Sequence, residues 1–572
     1  RRSSDLVESE ATDPNGDAGA TLRATVALAF RRASAGLSIV VNDAGPSNVP
    51  SYSPPPYVQP PPPYVPPQPP YQQPPPDPQP TIDDAIVVQV GARTFADRFA
   101  GLFQLGLIQT DADRFYGGFQ LAGWESGAGE FYGLFQLGLK QSVAERDFVG
   151  LGQLGLVLNS AGSMRALAQV ALFENNITES FVGIAQVSPI RNKAAHFVGV
   201  AQVGVLNRAD AFQGLVQLGV HNRAGPEDAY GSESSSDSNR YERFVGLGQL
   251  GLFNQATRDY YGLFQLGLVS LTQRADFIGG AQIGAFASTM RGSFYGLLQL
   301  GAAAHVGKDF AGLFQVGAVA ITRRQFSGLA QISAFNYVGD NIIREVFGSG
   351  EDETYERQNF RGVLQAGAAS ITDRDFQGLL QVNGLVSGVG RDFYGLAQVS
   401  GLVNYVETDF HGVLQLGGFN YTDDRFSGGM AVGVVNYADD SFSGLSQVGV
   451  VNLDGGEHMG AQLGLINGVR QKLYGLQVGA LSYAHDGAGV QLGGGNLAEE
   501  MRGMQIGVVN YVDDGATGLQ AGVVNVAGDE MKGVQVGLVN RAKTLRGVQL
   551  GLVNIASQGG FLPVSPILNV GM

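Results

Sequence analysis

Phe148-Val149-Gly150-Leu151-Gly152-Gln153-Leu154-Gly155-Leu156 returns, with small edits, from about Phe99 to the last residues of the chain. Phe131-Tyr132-Gly133-Leu134-Phe135-Gln136-Leu137-Gly138 and Phe310-Ala311-Gly312-Leu313-Phe314-Gln315-Val316-Gly317 are close copies. Towards the C-terminus the unit shortens to Gly533-Val534-Gln535-Val536-Gly537-Leu538-Val539-Asn540. Repetition at a fixed period marks a repeat architecture, in which each unit buries its core only against its neighbours. The starts at Phe115, Phe131 and Phe148 set a period of 16–17 residues. After about Met459, the glycines Gly475, Gly489, Gly503, Gly518, Gly533 and Gly547 set one of 14–15. About 28 units of 14–17 residues account for the region.

The apolar part of each unit is rich in Val, Leu and Phe with alternation, and it reads as strand. The segments between units, such as Thr110-Asp111-Ala112-Asp113-Arg114 and Thr422-Asp423-Asp424-Arg425, carry turn residues. A straight ten-residue strand spans about 33 Å, and five or six further residues cannot return that distance. Either the chain bends inside each unit and coils as an all-β solenoid, or each unit is one strand of a large antiparallel transmembrane β-barrel or meander. Two features favour the solenoid. Gly362-Val363-Leu364-Gln365 becomes Gly533-Val534-Gln535 late in the chain. One deletion inside a flat strand flips every later side chain, whereas a corner absorbs it. The recurrent Gln104, Gln136, Gln153, Gln202, Gln265, Gln315, Gln415 and Gln535 would stack as a ladder under parallel, in-register coiling. Asn510, Asn525, Asn540 and Asn554 would close a turn or form a second ladder. Val534, Val536 and Leu538 are the expected inward set, with Gln535 and Val539 on the other face. For the barrel speak the unit length and the aromatic pairs at unit starts, such as Phe115-Tyr116 and Phe294-Tyr295.

Around the repeats the material changes. Residues 1–49 form a polar N-terminal segment that reads as partly disordered. Residues 50–81 are Pro-rich with interspersed Tyr52, Tyr57, Tyr64 and Tyr71, a polyproline II linker rising about 3.1 Å per residue. The repeat domain covers 82–560, with insertions at 225–243 and 339–359 in the inter-unit turn. Glu227, Asp228, Glu233 and Asp237 in the first, and Glu351, Asp352 and Glu353 in the second, are candidate binding-loop residues. Insertions on one face of a repeat array are common binding sites. Residues 561–572 leave the repeat, carry Pro563 and Pro566, and read as a C-terminal cap.

Composition narrows the chemistry. The chain has 572 residues, 84 of them Gly, and a formal net charge of −15. An acidic chain without a basic cluster does not suit nucleic acid. With no Cys there are no disulfides, thiolate metal sites or Cys nucleophiles. The six His are scattered without metal-ligand spacing. The acidic doublets Asp423-Asp424, Asp439-Asp440 and Asp513-Asp514 read as solvated turns rather than a calcium site. No cofactor is expected. Acidic residues sit in turns rather than on one strand face, which argues against a glycan-processing enzyme.

The unit Gly-x-Gln-x-Gly-Leu-Val-Asn, clean at 503–510, 533–540 and 547–554, resembles the bacterial surface repeat family first described in Leptospira. Leu562-Pro563-Val564-Ser565-Pro566-Ile567-Leu568-Asn569 is similar to that family's usual ending. The resemblance covers the repeats and implies a cell-envelope or surface location in a Gram-negative bacterium. It carries no catalytic residues. The expectation is a non-catalytic structural or binding scaffold, with an envelope component or protein as partner, membrane association, or self-association by edge stacking. The alternative is an outer-membrane barrel acting as a pore or translocation channel.

Overall fold

A coil of this protein is made of three short strands and three corners. In one coil the strands are Phe244–Val245, Gly248–Leu250 and Phe253–Ala256. Gly246-Leu247 and Gly251-Leu252 turn two corners, and residues 257–259 turn the third. The next coil lies on it in parallel and in register, with Phe244 beside Tyr260, Gln249 beside Gln265 and Asn254 beside Ser270. The computed structural model describes residues 87–226, 242–341 and 358–572. These form an all-β parallel solenoid of about 26 turns. At roughly 4.8 Å per strand spacing the stack extends about 125 Å.

The parallel register rules out the antiparallel barrel, because a meander reverses the chain at every unit. Among the described residues, antiparallel pairing is found at the C-terminal end. There Val564–Gly571 runs back along Val539–Gln558 and covers the last open edge. Segments 1–49 and 50–81 lie outside the described residues. So do the binding-loop candidates Glu227, Asp228, Glu233, Asp237, Glu351, Asp352 and Glu353. Both insertions start and end at the third corner, between Ala224 and Phe244 and between Val338 and Phe360.

The inside and outside of the coil are reversed relative to the expected inward set. Gln535 is 0 % exposed, while Val536 is 40 % and Leu538 51 % exposed. The interior of a coil holds one Gln, one Asn, Ser or Ala, a small residue such as Ala256, and one large side chain. The lumen of a 14–17-residue coil is narrow, and its contents must satisfy themselves along the axis.

Two amide ladders do so. Gln120 Nε2 donates to Gln104 Oε1 at 2.9 Å, and its second N–H goes to the Gly127 carbonyl. Gln136, Gln153, Gln202, Gln265, Gln315, Gln415 and Gln535 each donate to the Gln of the preceding coil at 2.8–3.0 Å or, for Gln535, 2.7 Å. Gln104 itself donates to Gln89. The Asn ladder points the other way. Asn510 donates to Asn525, Asn525 to Asn540 and Asn540 to Asn554, each at 2.8 Å. A second N–H of each reaches a carbonyl in the following coil, such as Val536 O for Asn525. That backbone acceptor fixes which end of each amide is nitrogen. Opposed ladders also place their amide dipoles antiparallel.

Ladder polarity explains how each run ends. A Gln ladder that donates backwards leaves its last Oε1 without a donor, and Asn569 Nδ2 in the closing strand supplies one to Gln549. An Asn ladder that donates forwards leaves its last N–H groups without an acceptor, and Asn554 Nδ2 reaches Ser565 O. Where Asn runs restart, at Asn159, Asn404 and Asn496, the first Oδ1 has no donor. Buried amides are costly to leave unpaired, so the closing strand stabilises the last coil by chemistry as well as by covering its edge.

Candidate interaction surface

With the amides inside, the aliphatic residues of the repeat face outward. The residue after each Gln, and the third and fourth after it, line up coil over coil. In one coil these are Leu250, Leu252 and Phe253; in another they are Val536, Leu538 and Val539. All six are exposed or half-exposed. From Val203 to Val553 no Asp, Glu, Lys or Arg occupies these positions. The floor between the first and second rows is Gly219, Gly251 and Gly267 in successive coils. A Cβ there would point inward against the preceding coil's Gly carbonyl and the Asn ladder, for example Gly204 O and Asn207 Nδ2 at Gly219. Glycine is therefore required, and the outer face at that corner is bare backbone between two aliphatic rows. The result is a shallow groove. Over three coils it is lined by Leu218, Val220, Leu250, Leu252, Leu266 and Leu268 and encloses about 520 Å³.

A second outward row exists only in the longer coils. Leu247, Leu263, Leu297, Leu313, Leu329 and Leu379 stand two residues before the Gln and are 40–59 % exposed. The row stops at Leu445, which is 73 % exposed. Contiguous apolar surface beyond a few hundred Å² marks a contact surface in soluble proteins.

Much of the charge sits at the third corner, where it pairs between coils; Lys193, Arg208 and Arg223 also stack in register on the strand that follows the band. Arg391 grips Asp375 of the preceding coil through two N–H groups at 2.7 Å each. Arg425 reaches Asp409 and Arg546 reaches Glu530 in the same way, while Arg191 reaches Glu174 in the outward row beside the Asn ladder, before the charge-free stretch begins. Aspartates also accept the next coil's backbone N–H, as Asp276 Oδ1 does from Ser293. Burial, and then the neighbouring Asp423, Asp409 and Asp440, hold the Asp424 carboxyl above its ordinary range. Exposed pairs of this kind contribute little each. Among the described residues no three His, Asp or Glu side chains converge in a way that would hold a metal ion.

The sequence pointed to the ladders and missed the outward band. A signal was present in the repeat itself. Gln is nearly invariant from unit to unit, while the residue after it interchanges among Leu, Val, Ile and Ala. An interior position in a fixed hydrogen-bond ladder tolerates one residue type, and an outward one tolerates any of similar polarity. No known protein family, curated protein or solved structure matches this chain.

Proposed function

We propose that this chain is a non-catalytic scaffold of the bacterial cell envelope or surface that works by presenting a long apolar band. The observation that carries the reading is the charge-free band itself, repeated on coil after coil from Val203 to Val553. Many of the groups on the coil capable of polar chemistry are already engaged. The amides hydrogen-bond along the axis, and many of the third-corner charges pair with the next coil. A surface organised this way offers area and periodicity rather than a converging constellation of reactive groups. The envelope location rests on the resemblance of the Gly-x-Gln-x-Gly-Leu-Val-Asn unit and of the Leu562–Asn569 ending. Fractionation of the source cells, with a tag inserted in the 227–241 segment, tests it. The tagged chain is expected in the envelope or on the surface. Recovery in the cytosolic fraction would overturn the location, and a tightly bound small-molecule substrate would overturn the scaffold role.

A further inference from the structure

We propose that the apolar band is occupied by the same band of a second copy of this chain, packed side by side along the solenoid axis. This deepens the scaffold reading and rests on it.

Three observations point to a second copy. The first is periodicity. The band is a Gly-floored groove flanked by Leu and Val rows, repeated at the strand spacing of about 4.8 Å. A partner with another period would fit a few coils and then drift out of step. A second copy carries the same rows at the same spacing, so the ridge formed by Leu250, Leu266 and their successors can seat in the partner's groove all along the stack. The second is area. A band three residues wide is about 10 Å across, and over the roughly 100 Å from Val203 to Val553 it offers on the order of 1,000 Å² per copy. The pair would bury about 2,000 Å², at the upper end of the roughly 1,200–2,000 Å² of a standard stable interface. The third is charge. The chain carries a net charge of −15, but none of it lies in the band between Val203 and Val553. Two copies can therefore meet there without opposing charges, while the acidic third corner remains in solvent. Charge at the flanks disfavours the competing occupant. An anionic bilayer would draw a basic collar along the whole band, yet the stacked Lys193, Arg208 and Arg223 cover three coils only, their position is uncharged from Gln255 to Val526, and Asp409, Asp423, Asp424, Asp439 and Asp440 stand at the third corner.

The contact is lateral and leaves both ends of the stack out of it. It therefore differs from growth by edge pairing, which the closing strand Val564–Gly571 blocks at the C-terminal end.

Sedimentation equilibrium of the full chain tests the proposal. The mass is expected at twice 60.1 kDa or a higher multiple. Leu218→Asp, Leu250→Asp and Leu266→Asp together should return it to one chain mass. Ser427→Asp with Ser443→Asp, exposed on the Phe strand away from the band, should leave it unchanged. If the triple variant loses its β circular dichroism, Leu538→Asp with Leu552→Asp repeats the test on the best-exposed part of the band. A monomer at about 100 μM overturns the proposal. So does self-association that survives both band variants. So does a monomer that floats with phosphatidylglycerol vesicles unless the band is altered, which would give the band to lipid. A monomer found in the envelope sinks this inference and leaves the scaffold reading standing; a cytosolic dimer supports this inference and overturns the envelope location.

Discussion

The coils between Phe99 and Phe442 and those after His458 share the parallel coil and a Gln ladder, yet they fill the remaining corner of the lumen differently. In the first region the corner is an aromatic column. From Phe181 through Tyr260 to His458 successive rings stack at 4.6–5.0 Å with planes within 12° of parallel. The spacing is that of the strands, and the ring curls over the glycine two residues on. At Gly312 a Cβ would stand 2.9 Å from Phe310 Cζ. In the second region the corner alternates in size through Leu473, Gly487, Met501, Ala516, Met531 and Leu545. Here the coil has lost the outward residue two before the Gln, and the chain makes up the bend with glycines in the left-handed region. Gly460, Gly475, Gly503, Gly518, Gly533 and Gly547 have φ between +128° and +146°. The register slip between Ser443 and Ser446, where Gly444-Leu445 faces Gly460, marks the change. Ladder geometry therefore sets the rise and register, while coil length follows the side chain chosen for the corner. A wide flat ring goes with the longer loop, and a flexible thioether with the shorter one.

The largest effect is expected from removing one residue at either of two neighbouring places. Deleting Val316, just after Gln315, shifts the rest of Phe314–Thr322 to the opposite face, turning Val319 and Ile321 inward and Ala320 and Thr322 outward. The expected result is loss of the cooperative transition for the central coils, read by amide hydrogen exchange. Deleting Leu313 removes only the outward residue that short coils lack, and Gly312 can take the positive φ that the shorter bend requires. That variant should fold, with a cost of about 1–2 kcal/mol, on the scale of a strained local geometry. Equal damage from the two deletions would break the claim that this corner absorbs length.

The junction between the regions is also where the Gln ladder breaks. Ala431 stands where a Gln would be, so Gln447 has no ladder acceptor behind it and donates instead to Asp454 Oδ1 at 2.8 Å. Gln462 donates to Asp454 Oδ2 at 2.8 Å, and His458 Nδ1 lies 2.6 Å from the same oxygen. All four side chains are buried. Asp454→Ala would strand three buried partners, with an expected loss of about 3–5 kcal/mol. Gln315→Ala, within the unbroken ladder, strands Gln299 Oε1 and one N–H of Gln331, for about 2–4 kcal/mol. Combining Ala431→Gln with Asp454→Ala should recover part of the first loss by rebuilding the rung. Chemical denaturation of the single and double variants checks this. No recovery would mean that Asp454 serves His458 alone.

How much of this could be read from the residues alone depends on which rule governed each position. Period, strand character, parallel stacking and the Gln ladder follow from spacing and from the one-residue deletion at Gly533-Val534-Gln535. The direction of the faces did not follow, because the usual rule sends Val536 and Leu538 inward and Gln535 outward. That rule assumes a core wide enough for side chains from opposing elements to interdigitate. In a narrow coil the neighbour above and below is an identical residue, so a side chain that bonds to its own copy outcompetes one that merely repels water. The polarity of the ladders, which decides why Asn569 and Ser565 sit in the closing strand, depends on amide orientation and leaves no trace in spacing. The Asp454–His458 network was hidden because Ala431 reads as an ordinary substitution until its place in the ladder is known.

Acid offers the mildest separation of the two regions. His305 lies in the long coils, with Nδ1 3.1 Å from Ser288 Oγ, and burial followed by the nearby Arg323 lowers its pKa from 6.5 to about 4. His221, also in a long coil, is lowered chiefly by burial. A histidine held neutral in the fold takes its proton in the unfolded chain first. Stability is therefore full above about pH 6.5 and is lost as the pH falls from 6.5 towards 4. Asp111, Asp210 and Asp373, raised above their ordinary range mainly by burial, act with the opposite sign at the lower end of that window. The loss should thus be steepest in its upper part. Hydrogen exchange measured coil by coil should quicken around residues 205–322 across this window, while coils 501–549 hold their protection. His221→Phe, which matches the Phe253 beside it, together with His305→Ile, which matches the Ile321 beside it, should abolish the difference. Acid sensitivity that persists in that double variant would assign the effect to the Arg–Asp pairs of the third corner.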